Sequence, residues 1–152
     1  MKRFLCLLLF LATTAACGAT TASLAPESIN FAPALQVDLA SMQRTSTGVY
    51  FRDITEGEGP LVRRGSKVRV HYTGFLPDGT RFEQVVPPAV PIEFTVGDRT
   101  VIPGWQSGIM GMRAGGERQM VIPALQAYGS RQVGRVPPHS TLVFVVKLVS
   151  TR

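Results

Sequence analysis

Lys67-Val68-Arg69-Val70-His71-Tyr72-Thr73-Gly74-Phe75 is the stretch on which the fold class turns. Val68, Val70 and Tyr72 fall on one side of an extended chain, and Lys67, Arg69, His71 and Thr73 on the other. A period of two is that of a strand with one buried face. The pattern recurs outward from it. Leu76-Pro77-Asp78-Gly79-Thr80 has turn chemistry, and Thr80–Glu83 resumes a strand. Val90, Ile92, Phe94 and Val96 alternate with Pro91, Glu93 and Thr95. Arg118, Met120 and Ile122 are in phase within Glu117–Ile122. Thr141–Val149 is the longest strand, with Leu142, Phe144, Val146 and Leu148 on one side. Upstream, Val49-Tyr50-Phe51 reads as a short strand ending at the turn Gly57-Glu58-Gly59-Pro60.

One segment of this region reads as helix. Trp105, Ile109 and Met112 stand at i, i+4 and i+7, with Pro103 at the start and Gly115-Gly116 as the stop. Gly108 and Gly111 inside it cost about 1 kcal/mol each relative to alanine, so the helix depends on packing. The expected architecture is α+β: five or six antiparallel strands wrapped around one short amphipathic helix, with no internal repeat.

Composition agrees and excludes several classes. Of 152 residues, 45% are hydrophobic and 17% charged, enough for a real core. Fifteen glycines and eleven prolines point to a loop-rich β protein rather than a helical bundle. Two cysteines and two histidines are too few for a zinc module or a disulfide scaffold. The net charge of +6 raises nucleic acid as a partner. Lys2 and Arg3 supply two of those charges, however, and the rest are scattered. Arg63, Arg64, Lys67 and Arg69 are the one cluster and read as a solvated face, so no nucleic acid is expected. The sequence holds no nucleophile elbow, P-loop or dinucleotide fingerprint. His71 and His139 lack ligand-spaced partners and read as structural hydrogen-bonders; no metal is expected.

The N-terminus reads as an export signal. Lys2-Arg3 precedes the apolar run Phe4–Ala12, and Thr13–Ala16 are small. Nine residues span about 14 Å as a helix, against the roughly 30 Å of a bilayer core, so this is not a permanent span. Thr14-Ala15-Ala16-Cys17 resembles the lipobox of bacterial lipoproteins, with Thr14 where an aliphatic residue is usual. Cleavage further on, after Ala22 or Ala25, is the alternative, and Pro26 argues against the second. With Cys17 lipidated, Gly18 after it weakly favours the outer membrane. The expected organisation is a signal peptide at 1–16, an anchored or flexible linker at 17–45 and a domain at 46–152. In the linker, Leu35, Leu39 and Met42 have helical spacing over a stretch too short to stand alone, which either docks on the domain or stays loose.

Aromatic and aliphatic residues beside turns stand out: Tyr72, Phe82, Val101-Ile102, Trp105, Tyr128, Val136 and Phe144. Any one of them fits a plain core. Trp105 just after a loop and Tyr128 within one fit a binding surface better.

Five stretches in order resemble the FKBP-type peptidyl-prolyl cis-trans isomerases over about residues 46–152. They are Val70-His71-Tyr72-Thr73-Gly74, Asp78-Gly79-Thr80-Arg81-Phe82, Val101-Ile102-Pro103-Gly104-Trp105, Ala127-Tyr128-Gly129 and Val136–Phe144. The resemblance implies an antiparallel sheet across a short helix and a cofactor-free isomerase of X–Pro bonds. It implies a pocket walled by Tyr72, Phe82, Val101, Ile102, Tyr128, Val136 and Phe144, with Trp105 as its floor. The Ile102 N–H and the Tyr128 hydroxyl would each hold a substrate carbonyl. Glu83 stands where the family has Asp, Ile92 where an aromatic is usual, and the loop from Tyr128 to Pro137 is slightly short. Implied partners are proline-containing unfolded polypeptides, with macrolide immunosuppressants as inhibitors and the membrane reached through a lipid anchor. One subfamily carries a long dimerising helix ahead of this domain; residues 18–45 hold no such pattern, and a monomer is expected. A non-catalytic peptide-binding holdase on the same fold is the competing expectation.

Overall fold

The computed structural model describes residues 25–152, so the export segment and Cys17 lie outside the described residues. Seven strands form one sheet: β1 (Gln43–Arg44), β2 (Tyr50–Thr55), β3 (Lys67–Phe75), β4 (Arg81–Val85), β5 (Ile92–Thr95), β6 (Glu117–Ile122) and β7 (Leu142–Thr151). Their order is β1-β2-β6-β7-β3-β4, every pairing is antiparallel, and β5 also pairs with β3. Along one edge β3 runs beside β7. Along the other, Tyr72–Phe75 meets β4 and Lys67–Val70 meets β5. The sheet therefore forks on β3, with the Pro-rich loop 86–91 between the branches. The six strands read from periodicity are present; the seventh, β1, lies in the stretch expected to be linker.

The inner face of the sheet holds the main core. Val68, Val70 and Tyr72 of β3 are buried as their alternation requires, together with Leu142, Phe144, Val146 and Leu148 of β7. The helix α1 (Pro103–Gly108) packs there through Trp105. It stops short of the expected Gly115. Gly108 lies so close to β6 that a Cβ would stand 2.4 Å from Met120 Sδ, and Gly111 takes a positive φ of 76°, which ends helical continuation. Ile109 and Met112 stay buried because a turn, Met112 N–H to Ile109 O at 3.1 Å, keeps them inward.

Arg118 secures that turn. Its side chain is inside the protein and bidentate to Asp53, with Nε–Oδ1 at 2.7 Å and Nη2–Oδ2 at 2.9 Å. Its Nη1 donates to the Gly108 and Met110 carbonyls, each at 2.9 Å. The guanidinium thus satisfies carbonyls freed at the helix end while its charge is paired.

β6 is buried on both faces, because residues 25–45 dock on the outer side. Leu35 and Met42 pack with Tyr50, Val121 and Val143, and Phe31, Val37 and Leu39 join them. Gln119 Nε2 donates to Leu35 O at 2.6 Å, Arg52 Nη2 to Gln36 O at 2.7 Å and Ala32 N–H to Pro77 O at 2.8 Å. The Tyr50 hydroxyl donates to Glu27, which Arg44 also approaches. The docking chain is not the α-helix that the spacing of Leu35, Leu39 and Met42 suggested. It has three-residue 3-10 turns at Pro26–Ser28 and Pro33–Leu35, and Gln36 with φ at 50° breaks the run. Leu35 and Met42 reach the same apolar patch by a looped path.

Candidate functional site

Register builds the site. Gly74 on β3 faces Phe144 on β7 and Glu83 on β4. The β3–β4 pairing shifts between Gly74 and Phe75, where Arg81 rather than Phe82 is the next partner. Such a bulge re-aims the extra residue, and Phe82 and Glu83 both reach the inner side although they are consecutive. Gly74 makes the room: a Cβ there would stand 2.6 Å from Phe82 Cζ and 2.9 Å from Phe144 Cε1.

The rings meet edge to face. Tyr72 and Trp105 have centroids 4.9 Å apart at 89°, Trp105 and Phe144 5.4 Å at 87°, and Phe82 and Phe144 5.6 Å at 87°. This geometry suits aromatic quadrupoles but leaves a corner between rigid plates. The corner is a hollow of about 70 Å³ lined by Tyr72, Glu83, Ile92, Val101, Ile102, Trp105 and Phe144. Trp105 is 3% exposed and lies at its base. Ile102 is the residue before α1, with Pro103 opening the helix. Among the described residues its N–H donates to no backbone or side-chain group, so the donor is free for a carbonyl.

Seven of the ten pocket residues inferred from sequence thus line one hollow. Phe82 meets Phe144 edge to face and, with Glu83, edges a neighbouring depression formed by Val133, Gly134 and Arg135. Tyr128 lines a larger hollow of about 610 Å³ that shares Val101 and Ile102 with the first. Val136 is buried in the core cluster that holds Tyr72, Trp105 and Phe144. It is held there by paired hydrogen bonds with Val133, N–H to O at 3.0 and 2.9 Å, which make the short loop a tight hairpin. That hairpin brings Val133 beside Phe82 and Glu83.

Sequence reasoning passed over two residues. Phe94, read as ordinary strand core, packs on Trp105 at 5.8 Å and backs the floor. Gln106 clamps the loop before α1, accepting from Gly97 N–H at 2.6 Å and donating to Asp98 O at 2.8 Å. A half-buried glutamine on a short helix carries no local signal of such a role. His71 is a hydrogen-bonder as expected, its ring Nδ1 3.2 Å from Val85 O.

Both site tyrosines are held protonated. Burial pushes the Tyr72 phenol well above its ordinary value, and the Glu83 carboxylate adds to this by its charge and as an acceptor for the phenolic proton. Burial also raises Tyr128, with a smaller push from Glu83. Both are therefore hydrogen-bond donors throughout the neutral range and well beyond it.

The sheet wraps a short buried helix, and an aromatic hollow lies over the helix start with the unengaged Ile102 N–H beside it. Residues 59–149 match the family described as FKBP-type peptidyl-prolyl cis-trans isomerase, and the chain belongs to that family. It is similar to an FK506-binding protein of Neisseria meningitidis serogroup B, 41% identical over 103 residues, which are 67% of this chain and 94% of that protein. FK506-binding protein 2 of Yarrowia lipolytica is 52% identical over 89 residues, 58% of this chain, and the match spans only 62% of that protein's length. Among solved structures, the peptidyl-prolyl cis-trans isomerase of Pseudomonas syringae superposes with a TM-score of 0.64 at 33% identity, covering 72% of this chain and 80% of that one.

Proposed function

We propose that the chain isomerises X–Pro bonds of exported proteins by seating the proline in the hollow of about 70 Å³ and stabilising the twisted imide there. The observation that carries this is the pairing of an apolar, ring-walled seat with the unengaged Ile102 N–H above Trp105. Amide resonance sets a rotation barrier of about 18–20 kcal/mol and puts charge on the oxygen and nitrogen. An apolar seat disfavours that charge-separated planar form relative to the twisted one. Donors that meet the carbonyl oxygens only as the bond turns lower the barrier by differential binding. Each tenfold acceleration needs about 1.4 kcal/mol, within reach of such contacts. No covalent step is required.

In this reading Tyr72 and Phe144 wall the seat, Phe82 and Ile92 border it, and Trp105 is its floor. Ile102 N–H and the Tyr128 hydroxyl take carbonyls. Glu83 orients the Tyr72 hydroxyl and polarises the rim. The same seat would take macrolides of the FK506 type; the relatives' names support this. The first seventeen residues support export and attachment through lipidated Cys17, and Gly18 after it supports an outer-membrane address facing the periplasm. Residues 25–45 hold only two short turns and a two-residue strand, which supports a monomer over a form dimerised by a preceding helix.

The test is turnover of a short X–Pro peptide by the purified protein, with and without a macrolide of the FK506 type. Acceleration blocked by the macrolide is expected; peptide binding with no acceleration would replace this reading by a holdase. Glu83→Leu is expected to lower kcat/KM without abolishing it, and Glu83→Asp to leave it unchanged or raise it up to about tenfold, since that corresponds to about 1.4 kcal/mol. Complete loss in folded Glu83→Leu would show the carboxylate doing more than orienting.

A further inference from the structure

The hollow of about 610 Å³ beside the prolyl seat has no part in the mechanism above except through Val101 and Ile102, which it shares with the seat, and through Tyr128. Its construction is that of a preformed groove. The Thr47 hydroxyl donates to Ser107 Oγ at 2.9 Å, which ties the turn before β2 to α1 across the groove floor. Thr45 Oγ1 stands 2.9 Å from Thr47 Oγ1 and extends this chain of hydroxyls. The opposite wall, 97–100, is fixed by both ends of the Gln106 amide. Little ordering is left to be done on binding, which favours affinity.

Its charge is one-sided. Arg99 and Arg131 line it, and neither has an acidic partner among the described residues. Arg131 sits just past Tyr128, its N–H donating to the Tyr128 carbonyl at 3.2 Å. The single lining carboxylate, Asp98, is turned to its own loop. It accepts from Thr95 N–H at 3.2 Å, Thr100 N–H at 3.1 Å and the Thr100 hydroxyl at 2.6 Å. The groove therefore offers two unengaged guanidinium groups, fork-shaped donors suited to carboxylates.

We propose that this groove is a second subsite, which receives the stretch of client chain leaving the prolyl seat over Ile102 and Tyr128 and favours acidic residues in it. The inference rests on the isomerase reading and adds a substrate preference to it: proline-containing segments with Asp or Glu a few residues from the proline. An extended chain advances about 3.3 Å per residue, so an acidic residue within the next few positions would lie over the groove.

The test uses the full protein and a series of peptides around one X–Pro bond, with Glu, Gln or Lys placed at successive positions on either side. Exposed charge pairs are worth up to about fivefold each. Glu peptides are therefore expected to exceed Lys peptides in kcat/KM by about five- to tenfold at low salt, on one side of the proline only. The ratio is expected to fall toward one in the double variant Arg99→Gln/Arg131→Gln and at high ionic strength, where screening is strong. A ratio near one in the unaltered protein would overturn the proposal. So would a ratio that persists in the double variant, or Gln peptides matching Glu peptides. If no peptide is turned over, the isomerase reading fails by itself. The same Glu-to-Lys ratio read from dissociation constants by Trp105 fluorescence then decides the subsite.

Discussion

The two faces of the sheet put their apolar side chains to opposite ends. Outside, Leu35 and Met42 close over Tyr50, Val121 and Val143 and bury them. Inside, Tyr72, Phe82, Trp105 and Phe144 meet edge to face and leave an open hollow. Unbranched and γ-branched aliphatic chains adapt to fill a gap, whereas flat rings hold angles and leave corners. Under the proposed function the outer face serves stability and the inner face both stability and chemistry, a contrast that mutations can separate.

The largest effect is expected inside. Trp105→Ala removes the ring that touches Tyr72, Phe94 and Phe144, and core Trp-to-Ala changes cost about 3–5 kcal/mol. Denaturant unfolding should show that loss, and kcat/KM of the folded fraction should fall at least about tenfold. Leu35→Ala, on the outer face, should cost about 2–3 kcal/mol by the same measurement and leave kcat/KM unchanged. A parallel loss of turnover there would show that the two faces are coupled.

Gly74→Ala tests whether the hollow depends on ring position rather than ring presence. Its Cβ would meet Phe82 and Phe144 at under 3 Å, and overpacking of this kind costs about 1–3 kcal/mol. Turnover should fall more than stability does, since the displaced rings frame the seat. Unchanged kcat/KM would mean that Phe82 can move without consequence.

The smallest effects are in pH: a lowered carboxyl on the outer face acts on the acid side, and raised phenols on both faces act on the alkaline side. Outside, the Tyr50 hydroxyl bonded to Glu27 is the main cause that holds that carboxyl below its usual value of 4.5. A lowered carboxyl stabilises the fold above its unfolded pKa, and that contribution is lost as pH falls through the lower folded value. Glu27→Gln should remove this acid-side slope from a pH series of unfolding midpoints. Inside, the raised Tyr72 keeps its proton in the folded state after the unfolded chain has released it, so stability falls as pH rises above about 10. Turnover should be flat between pH 6 and 9. A titration of kcat/KM in that window would show that a group other than the site tyrosines carries a needed proton.

Legibility followed these two faces as well. The inner strands announced themselves because one face of each alternates, and Lys67–Phe75 was bounded to the residue. β6 shows why alternation has a limit: Arg118 reads as one of an inward trio, yet it lies buried beside Met120 as a paired charge that caps a helix end 8 to 10 residues away. The family motifs named seven residues that share a hollow. The hairpin that Val136 closes with Val133 decides which way that loop turns, and no local pattern announces it. Glu83 and Phe82 both face inward through a bulge that no periodicity reveals.

Pattern and motif, read along the chain, determined the strand set, the helix start at Pro103 and the ring residues of the seat, because these depend on period, turn chemistry and residue type over a few neighbours. Tertiary structure alone decided that residues 25–45 belong to the folded body, that α1 ends at Gly108, and that Thr47, Gln106 and Arg131 border one groove. Those outcomes rest on close approaches and hydrogen bonds between segments as far as 84 residues apart, and local sequence carries no record of which distant surface will be there to meet it.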